Sequence, residues 1–236
     1  MHRLMAWLTC LFLAAALAAA LTAVPARADA PFESTTTALV EADGRRAWSV
    51  SMSAGRLGSS RESWLDLDHS FDAATNVTLG AGSSRDAGGR ELAASLSLTH
   101  RLRRSDRDGW GWGLSLGVDA IRAPGEGWAR DAVFVVVPAS IELLGDRLAL
   151  TGNLGAVKPA DSRRRWLRGV AVEATLSRRV STFAEVVRVG AERALDVGLR
   201  WWLRPDALAL DAAVRRQRED GPAASGWRVG VAYSDW

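Results

Sequence analysis

The chain has 236 residues, a formal charge of +3, 48% hydrophobic and 24% charged residues, and one cysteine. Lys158 is the sole lysine, so the high isoelectric point reflects arginine standing in for lysine and does not point to a nucleic-acid partner. The single cysteine, Cys10, rules out a disulfide framework.

The first segment, "MHRLMAWLTCLFLAAALAAALTAVPARADA", joins a basic start to an apolar stretch and a small-x-small site, the pattern of a secretory signal peptide. Cleavage is expected after Ala28, because the competing site after Ala30 would leave Pro31 as the first mature residue. It removes Arg3, Cys10 and Arg27 and takes the formal charge to +1. The domains expected are a signal peptide (1–28), a periplasmic extension (29–45), in which "TTTALVEA" could add a strand, and a barrel (46–236).

From residue 46 onward apolar residues recur at every second position, the period of a strand. "AWSVSMSAG" sets Trp48, Val50 and Met52 against Ser49, Ser51 and Ser53, and "WGWGLSLGVDA" sets Trp110, Trp112, Leu114, Leu116 and Val118 against glycine, serine and Asp119. Strands are predicted near 46–56, 63–71, 76–84, 91–103, 110–122, 132–144, 148–158, 165–177, 181–190, 194–204, 207–217 and 226–236. Several are long enough to cross a bilayer at a tilt. "AVFVVVPASI", the longest apolar run after the signal, is too short for a spanning helix.

Short connections ("DAAT", "GD", "SRRV", "RPD") alternate with longer polar ones ("SSRDAGGRE", "APGEGWARD", "KPADSRRR", "REDGPAASG"), as in an antiparallel up-and-down barrel of the outer membrane. Aromatic residues fall at strand ends, and Trp48, Trp64, Trp110, Trp112, Trp166, Trp201, Trp227, Tyr233 and Trp236 are expected to form two interfacial belts. The fold class is therefore all-β, a transmembrane β-barrel of about twelve strands, in contact with outer-membrane lipid and inserted by the barrel assembly machinery of a Gram-negative bacterium. A soluble sandwich would carry its bulky residues inward, whereas here the face opposite the apolar one is rich in Gly, Ser, Ala and charge.

The run "LDVGLRWWLRPDALALDAAVRRQREDGPAASGWRVGVAYSDW" resembles the closing hairpin and last strand of Gram-negative outer-membrane barrels classed as transporters, including the group named for the MetA pathway of phenol degradation. "IELLGDRLALTGNLGAV" is similar to an internal hairpin of such barrels. The resemblance covers roughly the last hundred residues and implies architecture and location rather than substrate. Trp236 is out of phase with Tyr233, which departs from the usual C-terminal pattern and implies a bulge or a weaker assembly signal.

Charges placed opposite the lipid-facing residues must look inward, since lipid would exclude them. The expected lumen lining is Asp66, Asp68, Asp119, Glu142, Glu173, Asp196, Arg200, Arg204, Asp211, Arg215 and Arg228. "GLSLG" matches a nucleophile elbow in letters, but Ser115 lies mid-strand with no helix after it. Asp66, Asp68 and His69 form the one catalytic candidate, a hydrolytic site at the rim, without the second His-containing pair that such barrels use. No cluster has zinc or calcium spacing, so no metal or cofactor is expected. The function expected is passive passage of small polar or amphipathic solutes. The alternatives are a closed structural or partner-binding barrel and the rim hydrolase.

Overall fold

The computed structural model describes residues 47–235 apart from 73, 104–108, 145–146, 206 and 219–220. The expected signal peptide and extension, "TTTALVEA" and Trp236 lie outside the described residues. Twelve strands follow one another: β1 (Ala47–Leu57), β2 (Ser60–Ser70), β3 (Thr75–Asp86), β4 (Gly89–Arg103), β5 (Trp110–Arg122), β6 (Ala129–Leu143), β7 (Leu148–Pro159), β8 (Arg165–Ser177), β9 (Val180–Val189), β10 (Glu192–Arg204), β11 (Leu208–Arg218) and β12 (Ala224–Asp235). Each pairs antiparallel with its neighbours, and β1 pairs with β12 from Trp48↔Asp235 to Leu57↔Gly226, closing the barrel. No described helix is long and apolar enough to cross a membrane.

Side chains alternate outward and inward along every strand because the pleat has period two. Leu65, Leu79, Leu96, Leu116, Val135, Leu154, Val170 and Val231 are exposed on the outer wall, as a surface solvated by lipid requires. The β12 ladders run without a register shift as far as Asp235, so the phase change at the C-terminus produces no bulge in the described strand. Bulges occur instead at Arg101/Arg103, Asp119/Ala120, Thr175/Ser177 and Trp202/Arg204. Pro138, fully buried within β6, has no N–H to donate. The β5–β6 ladder accordingly breaks between Trp112↔Ala139 and Ser115↔Val136.

The expected contrast between short turns and long loops is not found. "SSRDAGGRE" continues as strand on both sides of a turn at 87–88, and the longest connections, 104–109 and 123–128, have six residues. Polar residues beyond the apolar band keep pairing because ladder hydrogen bonds do not depend on what the side chains face. Twelve strands about 4.8 Å apart and tilted by about 40° give a backbone radius of about 12 Å.

Inward aromatic rings each lie over a small residue on the next strand. Trp64 is paired with Gly82, Phe134 with Gly117, Phe183 with Gly198, and Trp202 with Ala209, which is 0% exposed. A Cβ on Gly82 would lie 2.0 Å from the Trp64 ring, one on Gly117 2.2 Å from Phe134, and one on Gly198 2.5 Å from Phe183. The glycines thus let the rings lie flat on the wall, the cross-strand cover known to rescue glycine in sheets.

Gly117→Val should destabilise the barrel by about 1–3 kcal/mol through overpacking, measured by denaturant unfolding in lipid vesicles. Adding Phe134→Ala should recover part of that loss, and strict additivity of the two changes would refute the ring-on-glycine pairing. In the β2–β3 turn, Asp72 accepts from the Ala74 and Thr75 amides at 2.7 Å each. These two bonds hold its carboxyl below the usual carboxylate range. A depressed pKa favours the folded turn above the unfolded value and loses that contribution as pH falls through the folded one. Asp72→Ala should therefore speed amide exchange at Ala74 and Thr75 at neutral pH, with the difference fading below about pH 4.

Candidate functional site: the barrel lumen

The inner wall has two unlike halves. From β12 round to β5 it carries mostly small residues, among them Ser49, Ser51, Ser53, Thr78, Gly82, Ser95, Gly117 and Gly230 of intermediate exposure, while Thr99, Arg101, Ser115 and Ser234 are buried. From β6 to β11 the mid-wall is packed, with Val136, Ser140, Thr151, Glu173, Phe183, Glu185, Asp196, Arg200 and Asp211 buried.

In the packed half, acids and arginines are interleaved, and two of the acids meet an arginine directly. Arg200 donates from Nε to Asp211 Oδ1 at 2.8 Å and from Nη2 to Oδ2 at 3.0 Å, a two-pronged pair between directly opposed residues of β10 and β11. The Arg200 guanidinium also lies 5.2 Å from the ring centroid of inward-facing Trp202. One row away, Asp196 faces Arg215 on β11 at 3.6 Å and Glu185 on β9. Arg228 interacts electrostatically with Arg215, Asp196, Glu62 and Glu185, joining the packed half to β12 and β2.

In the accessible half, carboxylates are held mainly by neutral donors. Trp64 Nε1–H donates to Asp66 Oδ1 at 2.6 Å, Ser49 Oγ to Asp68 Oδ2 at 3.2 Å, and Thr78 Oγ1 to Asp68 Oδ1 at 2.5 Å. Such bonds orient a carboxylate without removing its charge. Asp66 lies close to Asp68, and Asp119 to Asp131, so like charges gather here, with Arg228 the cation that reaches Asp66. Glu62, opposite Gly55, adds to the same wall.

The expected lining residues therefore separate. Asp66, Asp68 and Asp119 lie on the accessible wall, with Arg228 at its boundary. Glu173, Asp196, Arg200 and Asp211 are packed, with Arg215 beside them, while Glu142 lies near the rim that carries the chain ends. Arg204 follows the bulge in β10 and is exposed at that same rim, so it does not line the wall. Buried Arg101 and Glu185 were missed. The phase of Arg101 with Thr99 marks it as inward, whereas "TFAEVVRV" is apolar on both faces and hides Glu185.

Of the expected belt, Trp48, Trp110, Trp112, Trp201 and Tyr233 lie outward at the rim with the chain ends, and Trp166 and Trp227 outward at the opposite rim with Trp128. Trp64 does not belong to it, because it faces inward with Asp66 two residues on, where Gly82 leaves room for its ring. The hydrolytic candidate is not assembled either. His69 points outward, its ring 4.0 Å from that of Trp48 and 4.8 Å from that of Phe71, while Asp66 and Asp68 point inward. Consecutive strand residues cannot share a face. Among the described residues no three His, Cys, Asp or Glu are grouped to hold a metal ion.

No family profile and no curated protein sequence matches this chain. Solved structures do match its fold. The KdgM porin superposes with a TM-score of 0.65 at 10% identity over 80% of this chain and 99% of the porin. The NanC porin gives 0.57 at 10% identity over 79% and 98%. Omp33, an outer membrane protein of Acinetobacter baumannii, gives 0.53 at 10% identity over 81% and 99%. The chain has the closed twelve-stranded fold of outer-membrane porins.

Proposed function

We propose that the chain is a passive outer-membrane channel for small hydrophilic solutes, with both termini in the periplasm and a preference for cations. The observation that carries this reading is the asymmetric wall. Small residues line much of one half, and among the described inward residues there Glu62, Asp66, Asp68 and Asp119 outnumber Arg101 and Arg228. Arg200, expected from sequence to line the lumen, is neutralised by Asp211. Fixed charge along a narrow wet pore selects ions of opposite sign.

The porin likeness supports a channel, and the wall's charge refines the solute. The KdgM porin has been solved in complex with oligogalacturonate, a polyanion. An acidic wall of the kind formed here disfavours such a solute. The inward Trp64 ring offers a stacking face for amphipathic aromatic solutes. The packed β6–β11 wall is the one feature that favours a closed barrel, and the same experiment separates the two. Among the described residues of the lumen the hydrolytic set of Asp66, Asp68 and His69 is not brought together.

The refolded mature protein should show unitary steps in a planar bilayer, with cations more permeant than anions. Asp66→Asn with Asp68→Asn should move the permeability ratio toward unity while the steps persist. A folded barrel without steps would establish the closed reading, and unchanged selectivity would remove these carboxylates from the mechanism. Asp211→Asn should cost about 3–5 kcal/mol of stability by leaving Arg200 buried without its charge partner, and Arg200→Met with Asp211→Leu should recover most of it. Denaturant midpoints in vesicles would measure both.

A further inference from the structure

Outside the barrel, at the rim away from the chain ends, arginines stand directly opposite one another. Arg56 on β1 faces Arg61 on β2, Arg61 faces Arg85 on β3, and Arg85 faces Arg90 on β4. A second row repeats the pattern. Arg168 on β8 faces Arg188 on β9, Arg188 faces Arg193 on β10, and Arg193 faces Arg218 on β11. All eight are exposed and in phase with lipid-facing residues of their strands.

The rows arise from a repeated hairpin. "RLGSSR", "RDAGGR" and "RVGAER" place arginines five residues apart, straddling the turns at 58–59, 87–88 and 190–191. Every two-residue turn on this rim carries the motif, which supplies six of the eight arginines. In two of them the side chain is anchored alike. Arg56 Nε donates to the Gly58 carbonyl and Arg188 Nε to the Gly190 carbonyl, each at 2.9 Å. Both glycines have positive φ, 59° and 61°. Arg90 Nε donates to Ser83 Oγ at 2.9 Å.

Like charges directly opposed across strands destabilise a sheet, with Cβ atoms only about 5 Å apart. Each row stacks four over about 14 Å. No described residue on the outer face of these eight strands is acidic, because Glu62, Asp66, Asp68, Glu91, Glu185 and Asp196 all point inward. Among the described residues of these strands, none therefore offers the rows a counter-charge on the outer face. The level is that of the interface, since Trp227 lies directly opposite Arg56 and Trp166 stands two residues before Arg168 on the same face. Guanidinium groups bind phosphate oxygens in pairs, and clustered ones gain most where lipid supplies anionic headgroups.

We propose that the two rows are docking sites for the phosphate groups of the outer-leaflet glycolipid, one on β1–β4 and one on β8–β11. The proposal rests on the outer-membrane placement given above. Bound phosphates would relieve the repulsion within each row and clamp the barrel at a set depth and orientation.

The test is retention of bisphosphorylated lipid A by the folded barrel in detergent, read by native mass spectrometry, with heat-shift on gels confirming the fold. Dephosphorylated lipid A and inorganic phosphate alone serve as the other probes. The parent protein should retain lipid A, and R56Q/R61Q/R85Q/R90Q and R168Q/R188Q/R193Q/R218Q should each bind it roughly tenfold less or worse. Lysine at the same positions should restore part of the binding and guards against a variant that fails to fold. Equal retention by the parent and both glutamine variants overturns the proposal, as does equal retention of dephosphorylated lipid A. Inorganic phosphate binding as tightly without lipid would assign the rows to a soluble anion instead. Conductance keeps the two readings apart. Lipid loss with normal conductance leaves the channel standing, and lipid retention without conductance overturns the channel alone. Recovery of the barrel outside the outer-membrane density fraction would overturn the shared placement.

Discussion

Closure of the hydrogen-bond ladder is the constraint on which everything else rests. In hydrocarbon an unpaired N–H or C=O costs several kcal/mol, so strands can cross a membrane only if the first pairs with the last. The pairing of β1 with β12 from Trp48 to Leu57 supplies that closure. Period-two alternation then leaves each residue two choices, lipid or lumen.

Charge largely follows that choice. Asp66, Asp68, Asp119, Glu173, Glu185, Asp196 and Asp211 go inward, and arginines divide between the lumen and the polar rim. Inside, the pairing of Trp64, Phe134, Phe183 and Trp202 with Gly or Ala keeps large rings against the wall. Among the described residues the lumen takes its shape from these pairings. Outside, the arginine rows are tolerable because they sit at the strand ends, where water and headgroups replace hydrocarbon.

Much of the candidate site was legible because the pleat is strict. The phase of Asp66, Asp68 and Asp119 against Leu65, Leu67 and Val118 was enough to turn them inward. Trp64 carried the same signal, being in phase with Asp66, but its place near a strand end suggested a belt. Only the glycine across the ladder shows why the ring turns in. Asp66, Asp68 and His69 look like a cluster when written side by side, and the pleat puts the histidine on the other face.

The sequence by itself determined about twelve strands and most of their faces, because alternation, charge exclusion from lipid and strand length are properties of single segments. The tertiary structure alone decided register: which aromatic covers which glycine, which arginine meets Asp211, and that Arg56, Arg61, Arg85 and Arg90 form a row. Cross-strand neighbours are set by the closure of the whole cylinder, and no segment contains that information by itself.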